Sequence, residues 1–397
     1  MRNCGVSHSM KLLEYMGKEL LKNYGISIQK GFVVSNTDEV REAVKVLDPP
    51  YVLKAQVLTG GRGKAGGIKF ADNTSDVQRL CSHIIGMTIK NIIVKKVLIA
   101  QKVDVFDEWY LSIILDRQVK CPMIIFSPLG GMDIEETAKT APDKIAKIFI
   151  NPLLGVREYT ARYIFKNYGL DSAYFGQFFE ILKNLYRLFM DYDATLLEIN
   201  PLAITDNERL IAVDCKADID ESALFRHTDI LEFRSSLDEN ELIIEARKFN
   251  FLYIPTGQEG DIAVASNGSG MLMSCIDLIA KSGSKVCAAL DLGGGATSDR
   301  IAEAIKIIFK NPQTSYLFIS IFGGITRCDE VAQGVKLAVE SGLNDRTIVI
   351  RLEGTNKETA LEILSSIGSS VIFADSISDG VKKLKKLKEK RLNEHIN

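Results

Sequence analysis

The second half of the chain constrains its own architecture more tightly than any other stretch. From about residue 259, short apolar runs at 261–266, 285–291, 315–321, 346–351 and 371–374 alternate with helical segments at 270–281, 298–310, 328–341, 357–366 and 378–389. Strand-length apolar runs separated by helices require a parallel sheet covered on both faces, because strands apolar on both sides must be buried on both sides. Each of the first four runs ends in a loop of small residues. These loops are Asn267-Gly268-Ser269-Gly270, Gly293-Gly294-Gly295-Ala296-Thr297, Gly323-Gly324-Ile325-Thr326 and Glu353-Gly354-Thr355-Asn356. In an open parallel sheet these strand ends share one edge. Each loop precedes a helix start with free N–H groups and partial positive charge, so a phosphate or carboxylate is the natural guest. Gly268-Ser269-Gly270 with Asp291 further on partly meets the dinucleotide fingerprint, but Met273 stands where its third glycine belongs.

The first half reads differently. Helices are expected over 11–23, 37–46, 74–85, 142–149, 157–168 and 172–190. Strands are expected near 32–34, 51–58, 67–70, 93–103, 109–116 and 120–127, with a hairpin over 194–216. Hairpins interspersed with helices are α+β grammar. Residues 230–258 are acidic and helical and read as a bridge. A chain of 397 residues exceeds what one core usually holds. Two domains are expected, over 10–245 and 246–397.

Composition narrows the classes. The formal net charge is -2 and charged residues make up 25%, so the chain carries no electrostatic footprint for nucleic acid. The one basic run, Lys382 to Arg391, interleaves with Leu at helical spacing and reads as a solvated last helix. No stretch approaches the roughly 20 apolar residues that span a bilayer. Seven cysteines at 4, 81, 121, 215, 275, 287 and 328 show no CxxC spacing, and free thiols in a reducing compartment are expected. Cys328 follows a glycine loop and reads as a small buried residue.

Two segments carry chemistry. Thr59-Gly60-Gly61-Arg62-Gly63-Lys64-Ala65-Gly66-Gly67 follows a strand that contains Lys54. Glycines let backbone N–H groups approach an anion, and the cations neutralise it. The turn is either a phosphate-covering loop or a hairpin tip with incidental charge. It is not a Walker A loop, since Ala65 follows Lys64. In the hairpin ATLLEINPLAITDNERLIAVDCKAD, Glu198 and Asn200 share a strand face. A turn centred on Asn207 sets Asn200 opposite Asp214, with Cβ atoms about 5 Å apart. That set suits either one Mg²⁺ that keeps waters and binds nucleotide phosphates, or a polar face bonded to water. The four histidines, His8, His83, His227 and His395, lie in no glycine loop and beside no carboxylate pair. Phosphate cradles without a nucleophile suggest that a partner supplies one.

The segments LLEYMGKELLKNYGI, YVLKAQVLTGGRGKAGGIKF, GGMDIEETA, NPLLGVREYTAR, LEINPLAIT, DIDESALFRH, NGSGM, LDLGGGAT, IFGGITRCD and RLEGTN occur in this order from Met10 onward. Together they resemble the β subunits of succinyl-CoA synthetases (succinate–CoA ligases). The resemblance implies an α/β chain: an N-terminal ATP-grasp fold in two lobes, then a flavodoxin-like parallel-sheet ligase domain. It implies ATP or GTP as substrate, Mg²⁺, and a partner α subunit that carries the phosphorylated histidine and the CoA site. It also implies a place in the tricarboxylic acid cycle, in bacterial cytoplasm or mitochondrial matrix. By resemblance Gln29, Lys54, Gly61, Arg62, Gly63, Val103 and Glu108 contact nucleotide, and Asn200 and Asp214 hold Mg²⁺. Glu198 is similar to the acid that orients the phosphohistidine. Asn267, Gly324, Ile325 and Thr326 look like the end that receives the carboxylate substrate and phosphate.

The chain departs from the family pattern at several places. Residues 86–98 are shorter than usual and lack most of a hairpin. Ala100 stands where many ATP-using members carry Glu, and Gln29 leans toward GTP. Ser269 replaces the usual alanine, and the segment before it differs from the common form. A malate–CoA ligase large subunit and a non-catalytic nucleotide-binding regulator are the alternatives.

Overall fold

The computed structural model describes residues 9–235, 240–257, 259–343, 346–368 and 370–394. His8, His395 and Cys4 lie outside the described residues. The chain separates into two compact units that part between Ser236 and Leu237. The helix Glu241–Lys248 buries Ala246 in the core of the second unit, with Leu242 and Ile243 packed against it.

The first unit contains two large sheets and a two-stranded one. A four-stranded antiparallel sheet runs in the order Gly31–Val34, Val97–Gln101, Tyr51–Ala55, Ile68–Ala71. Its core takes in Val40 and Ala43 from one helix and Val77, Cys81 and Ile84 from another. The second sheet has seven antiparallel strands. Its order is Ser9–Lys11, Lys216–Asp220, Ala194–Thr205, Val105–Asp116, Cys121–Ser127, Ala146–Phe149, with Leu210–Ala212 also paired to Ala194–Thr205. Trp109, on the strand Val105–Asp116, meets Phe126, Phe165, Tyr174 and Phe178 in edge-to-face contacts. Such pairs add to the large area that each ring buries.

Residues 142–149 are not the expected helix. A single turn, Pro142–Lys144, leads into the strand Ala146–Phe149, which pairs antiparallel with Cys121–Ser127. Ala146, Ile148 and Ile150 turn inward while Lys147 and Phe149 between them are exposed, a period of two, and pairing with the sheet edge wins. Within 86–98, Thr88–Ile89 and Ile92–Ile93 form a minimal hairpin. Its turn residues Lys90 and Asn91 both have positive φ, 48° and 67°, as a twist-matched two-residue turn needs.

The second unit follows the expected alternation. Five parallel strands stand in the order Val286–Asp291, Ile262–Ser266, Tyr316–Gly323, Thr347–Gly354, Val371–Phe373, which is the flavodoxin-like order 2-1-3-4-5. A sixth strand, Leu252–Pro255, joins antiparallel to Val286–Asp291 from within the expected helical bridge. Helices Ser298–Lys310, Cys328–Ala338 and Lys357–Ser365 contribute to the core that contains Leu317 and Ile350. Helices Ser269–Lys281 and Ile377–Glu394 contribute to the core that contains Phe318 and Val349. The basic C-terminal run is therefore a helix that buries Leu384 and leaves Lys382, Lys385 and Lys386 exposed.

Helices Ser298–Lys310 and Cys328–Ala338 come close together at Gly334, where an added Cβ would lie 2.6 Å from the Ser298 carbonyl oxygen and 2.7 Å from the Ile301 Cβ. Helix propensity alone favours Gly334→Ala by about 1 kcal/mol. Overpacking at this contact costs about 1–3 kcal/mol and wins. Thermal denaturation of the full chain should show Gly334→Ala with a lowered midpoint; an unchanged or raised midpoint shows the contact to be slack.

Candidate active site

The site of the first unit starts from the helix Glu14–Asn23. Glu14, Gly17, Lys18 and Leu21 share its buried face. Glu14 is in the first turn, where the helix dipole favours an anion. Its side chain is only 1% exposed, and it accepts from Lys18 Nζ at 3.0 Å, Lys54 Nζ at 2.8 Å and Arg62 Nη1 at 2.8 Å. Burial alone raises a carboxyl, but these three cations outweigh it and hold Glu14 far below the ordinary carboxylate range. Burial lowers Lys18 despite the Glu14 carboxylate beside it.

The four-stranded sheet and its glycine turn bring the cations in. Lys54, on the strand Tyr51–Ala55, also donates to the Val213 carbonyl at 2.9 Å. The turn after it folds back on itself through Gly67 N–H to Arg62 O at 2.8 Å and Ala55 N–H to Gly67 O at 2.8 Å. Gly61 has φ of 81°, a region that glycine enters freely, and a Cβ at Gly67 would sit 2.6 Å from Ile89 Cδ1. The turn thereby aims Arg62 inward. Its Nη2 meets both oxygens of Asp214, at 2.9 and 3.3 Å. Burial and the Glu14 carboxylate push Asp214 up, against Lys54 and Arg62. Gln29 joins the cluster by accepting from Lys18 Nζ at 3.1 Å and donating to the Gln101 carbonyl at 2.9 Å.

The hairpin keeps the expected register. Leu202 pairs with Ala212 and Glu198 with Lys216, so the same register sets Asn200 opposite Asp214. Glu198 also stands opposite Ser112 and accepts from the Tyr110 hydroxyl at 3.2 Å. Burial raises Glu198, with Lys216 and Tyr110 opposing. Asn200 Oδ1 accepts from Gly131 N–H at 2.8 Å and its Nδ2 donates to the Met132 carbonyl at 2.9 Å. Glu108 lies on the adjacent strand opposite Ala203, and its carbonyl accepts from Gly130 N–H at 2.7 Å. Val103 is half-buried in the connection before that strand.

One carboxylate and one amide set opposite by the hairpin register, with Glu198 two residues along, are the ligand types that a hard divalent cation takes. Mg²⁺ keeps several waters and takes one or two carboxylates plus substrate phosphates. Among the described residues no group of three or more His, Cys, Asp or Glu forms an all-protein cage. Around this set, three cations against two carboxylates leave one positive charge in excess, which suits a polyphosphate.

In the second unit, Asn267 clamps the ends of two parallel strands. Its Oδ1 accepts from Phe322 N–H at 3.1 Å and its Nδ2 donates to the Phe322 carbonyl at 2.9 Å. These strands flank the point where the strand order reverses, which is where open α/β sheets bind ligands. Thr326 is buried and its hydroxyl accepts from Gly295 N–H at 2.9 Å, whereas Ile325 is 88% exposed beside Gly324. Cys328 is fully buried, and burial raises its thiol.

Glu14, Lys18, Tyr110 and the Gly131–Met132 backbone are site groups that sequence reasoning missed. One signal was present: Glu14 and Lys18 fall on the same helical face as Leu21, so the charges occupy an inward position.

The two units define a class, an ATP-grasp domain joined to a CoA-ligase domain. The family model for an ATP-grasp domain matches residues 11–204, and that for CoA-ligase matches residues 265–381. Succinate–CoA ligase [ADP-forming] subunit beta of Pyrobaculum aerophilum is 41% identical over 94% of this chain and 98% of its own length. Succinate–CoA ligase [GDP-forming] subunit beta of Thermus thermophilus is 41% identical over 89% of this chain and 93% of its own. The chain belongs to the family of succinate–CoA ligase β subunits. Its fold is shared with ATP citrate lyase of Methanothrix soehngenii, at a TM-score of 0.73 and 17% identity over 93% of this chain and 98% of that one.

Removing one partner of a buried ion cluster costs about 3–5 kcal/mol, because the remaining charges stay buried and unmatched. Glu14→Gln should therefore lower the thermal midpoint markedly at neutral pH. The depressed Glu14 carboxyl contributes fully above its unfolded value of 4.5 and loses that contribution only as pH falls toward the folded value. The midpoints of wild type and Glu14→Gln should converge only in strong acid. Convergence near neutral pH would show Glu14 to be uncharged in the folded chain.

Proposed function

We propose that this chain is the nucleotide-handling subunit of a ligase that runs NTP + succinate + CoA ⇌ NDP + phosphate + succinyl-CoA with a partner α subunit. The carrying observation is the buried cluster in which Lys54, Arg62 and Asp214 converge with cationic charge in excess. Lys54 and Arg62 neutralise the nucleotide phosphates, while Gly61 and Gly63 let the turn backbone approach them. Asp214 and Asn200 would hold Mg²⁺, which supplies charge neutralisation at the transferring phosphoryl group. Gln29, Val103 and Glu108 line the nucleotide side of the same reading.

Glu198, half-withdrawn from water and held by Tyr110, orients the phosphoryl-carrying histidine of the α subunit. Among the described residues, His83 lies exposed on its helix, and His227 is bonded to Asp193 at 2.8 Å and stacked on Tyr192. Neither stands at a glycine loop, which supports a carrier histidine on the partner. Asn267, Gly324, Ile325 and Thr326 receive the carboxylate substrate and the phosphate at the strand ends. Relatives of both ADP-forming and GDP-forming type support a purine nucleoside triphosphate as substrate.

Thioester formation by the chain with an α subunit, Mg²⁺, CoA and succinate, assayed with ATP and then GTP, tests the reading. Activity should require the α subunit and should exceed that with malate. Robust succinyl-CoA formation by this chain alone, or faster turnover of malate, overturns it. Asp214→Ala and Glu198→Gln should each lower the rate by roughly a hundredfold or more, the scale at which positioned charged groups act in transfer reactions.

A further inference from the structure

Asp214 is already engaged. Both of its oxygens lie on Arg62 Nη2, at 2.9 and 3.3 Å, and its Oδ1 also accepts from Cys215 N–H at 2.7 Å. Arg62 in turn is held from behind, by Glu14 Oε2 at 2.8 Å and by the Ala55 carbonyl at 3.3 Å. Its side chain is 13% exposed, and that of Asp214 is 30% exposed. The guanidinium thus takes up the carboxylate that a divalent cation needs, in a pocket where a second cation beside it would be repelled. Lys54 differs. Its ammonium lies on Glu14 and the Val213 carbonyl and makes no bond to Asp214.

We propose that Arg62 couples metal to nucleotide: its bridge from Glu14 to Asp214 closes the metal's carboxylate until a polyphosphate draws the guanidinium away. The inference rests on the reading of Asp214 as a metal ligand. Charge explains the coupling. A metal arriving alone must displace a charge-assisted pair and leave a buried guanidinium with one partner fewer. A metal arriving on a polyphosphate brings the anion that Arg62 requires, so the guanidinium exchanges one anionic partner for another. The glycine turn that carries Arg62 supplies the freedom for that exchange, with Gly61 and Gly66 at φ of 81° and 78° on either side of it. Arg62 is a positioning residue in this role, acting on the metal through Asp214.

The test is Mn²⁺ binding to the full chain without nucleotide, read by electron paramagnetic resonance of the free ion. Arg62→Met should bind one Mn²⁺ roughly tenfold or more tighter than wild type, the scale of a charge-assisted hydrogen bond removed from competition. Asp214→Asn in the Arg62→Met background should abolish that gain. Arg62→Lys, which keeps the charge on a side chain without the planar fork, should fall between. Lys54→Met removes an equal charge nearby and should give no comparable gain. Circular dichroism confirms that each variant is folded.

Equal Mn²⁺ affinity in wild type and Arg62→Met, with both lost in Asp214→Asn, overturns the coupling and leaves Asp214 as a metal ligand. A gain in Lys54→Met equal to that in Arg62→Met also overturns it, because net charge and not the bridge would then set affinity. Tight binding by Arg62→Met that survives Asp214→Asn overturns the metal reading itself. Absence of binding by Arg62→Met overturns the coupling as well.

Discussion

Glu14 lies almost wholly out of water with three cations around it, and separate parts of the first unit meet there. The helix Glu14–Asn23 supplies Glu14 and Lys18. The four-stranded sheet supplies Lys54, and its glycine turn supplies Arg62, which reaches on to Asp214 in the hairpin. Gly17 makes the seat of the helix possible, since a Cβ there would lie 2.7 Å from Cys215 Sγ, one residue past Asp214. Burying such charges costs several kcal/mol per ion, and well-packed apolar residues often serve stability as well or better. The cluster is therefore poor economy as a fold device, and the proposed role in holding phosphate is what would account for it. One carboxylate fixes three cations in place, and on that reading the positive charge in excess is left for a ligand.

The second unit was the most legible part of the chain. Expected strands at 261–266, 285–291 and 315–321 stand at Ile262–Ser266, Val286–Asp291 and Tyr316–Gly323. Parallel strands buried on both faces read as short apolar runs, and the first four of them end in small-residue loops that punctuate the pattern. The strand Leu252–Pro255 escaped because it is an edge strand of four residues next to a helix, too short for periodicity to speak. The 142–149 segment failed for a related reason. Its apolar residues satisfy both periods, and only the exposed edge of Cys121–Ser127 decides between them.

The site divides the same way. The Asn200/Asp214 juxtaposition followed from counting across a hairpin, since a period of two and one turn leave a single register. Lys54 and Arg62 were visible as cations around a glycine turn. Glu14 was not, because an acid in the first turn of an amphipathic helix is ordinary, and only the tertiary approach of Lys54 and Arg62 makes it a hub. The Tyr110 hydroxyl on Glu198 and the Gly131 N–H on Asn200 are likewise contacts between strands and loops far apart in sequence.

The chemistry of the remaining side chains completes the argument for a partner. The thiols of Cys81, Cys215, Cys275, Cys287 and Cys328 are all raised by burial, away from the thiolate form, and Cys121 is half-buried at the start of the strand Cys121–Ser127. His227 is committed to Asp193 and Tyr192, and His83 stands on a helix of the four-stranded sheet's core without a carboxylate bonded to it. What the chain does present is charge in fixed places: cations and a carboxylate at the glycine turn, and small-residue loops at the sheet edge. Phosphoryl transfer asks the protein chiefly for positioning and charge stabilisation. The β-subunit name of the family to which the chain belongs implies a partner subunit, and on the proposed reading that partner carries the phosphoryl group.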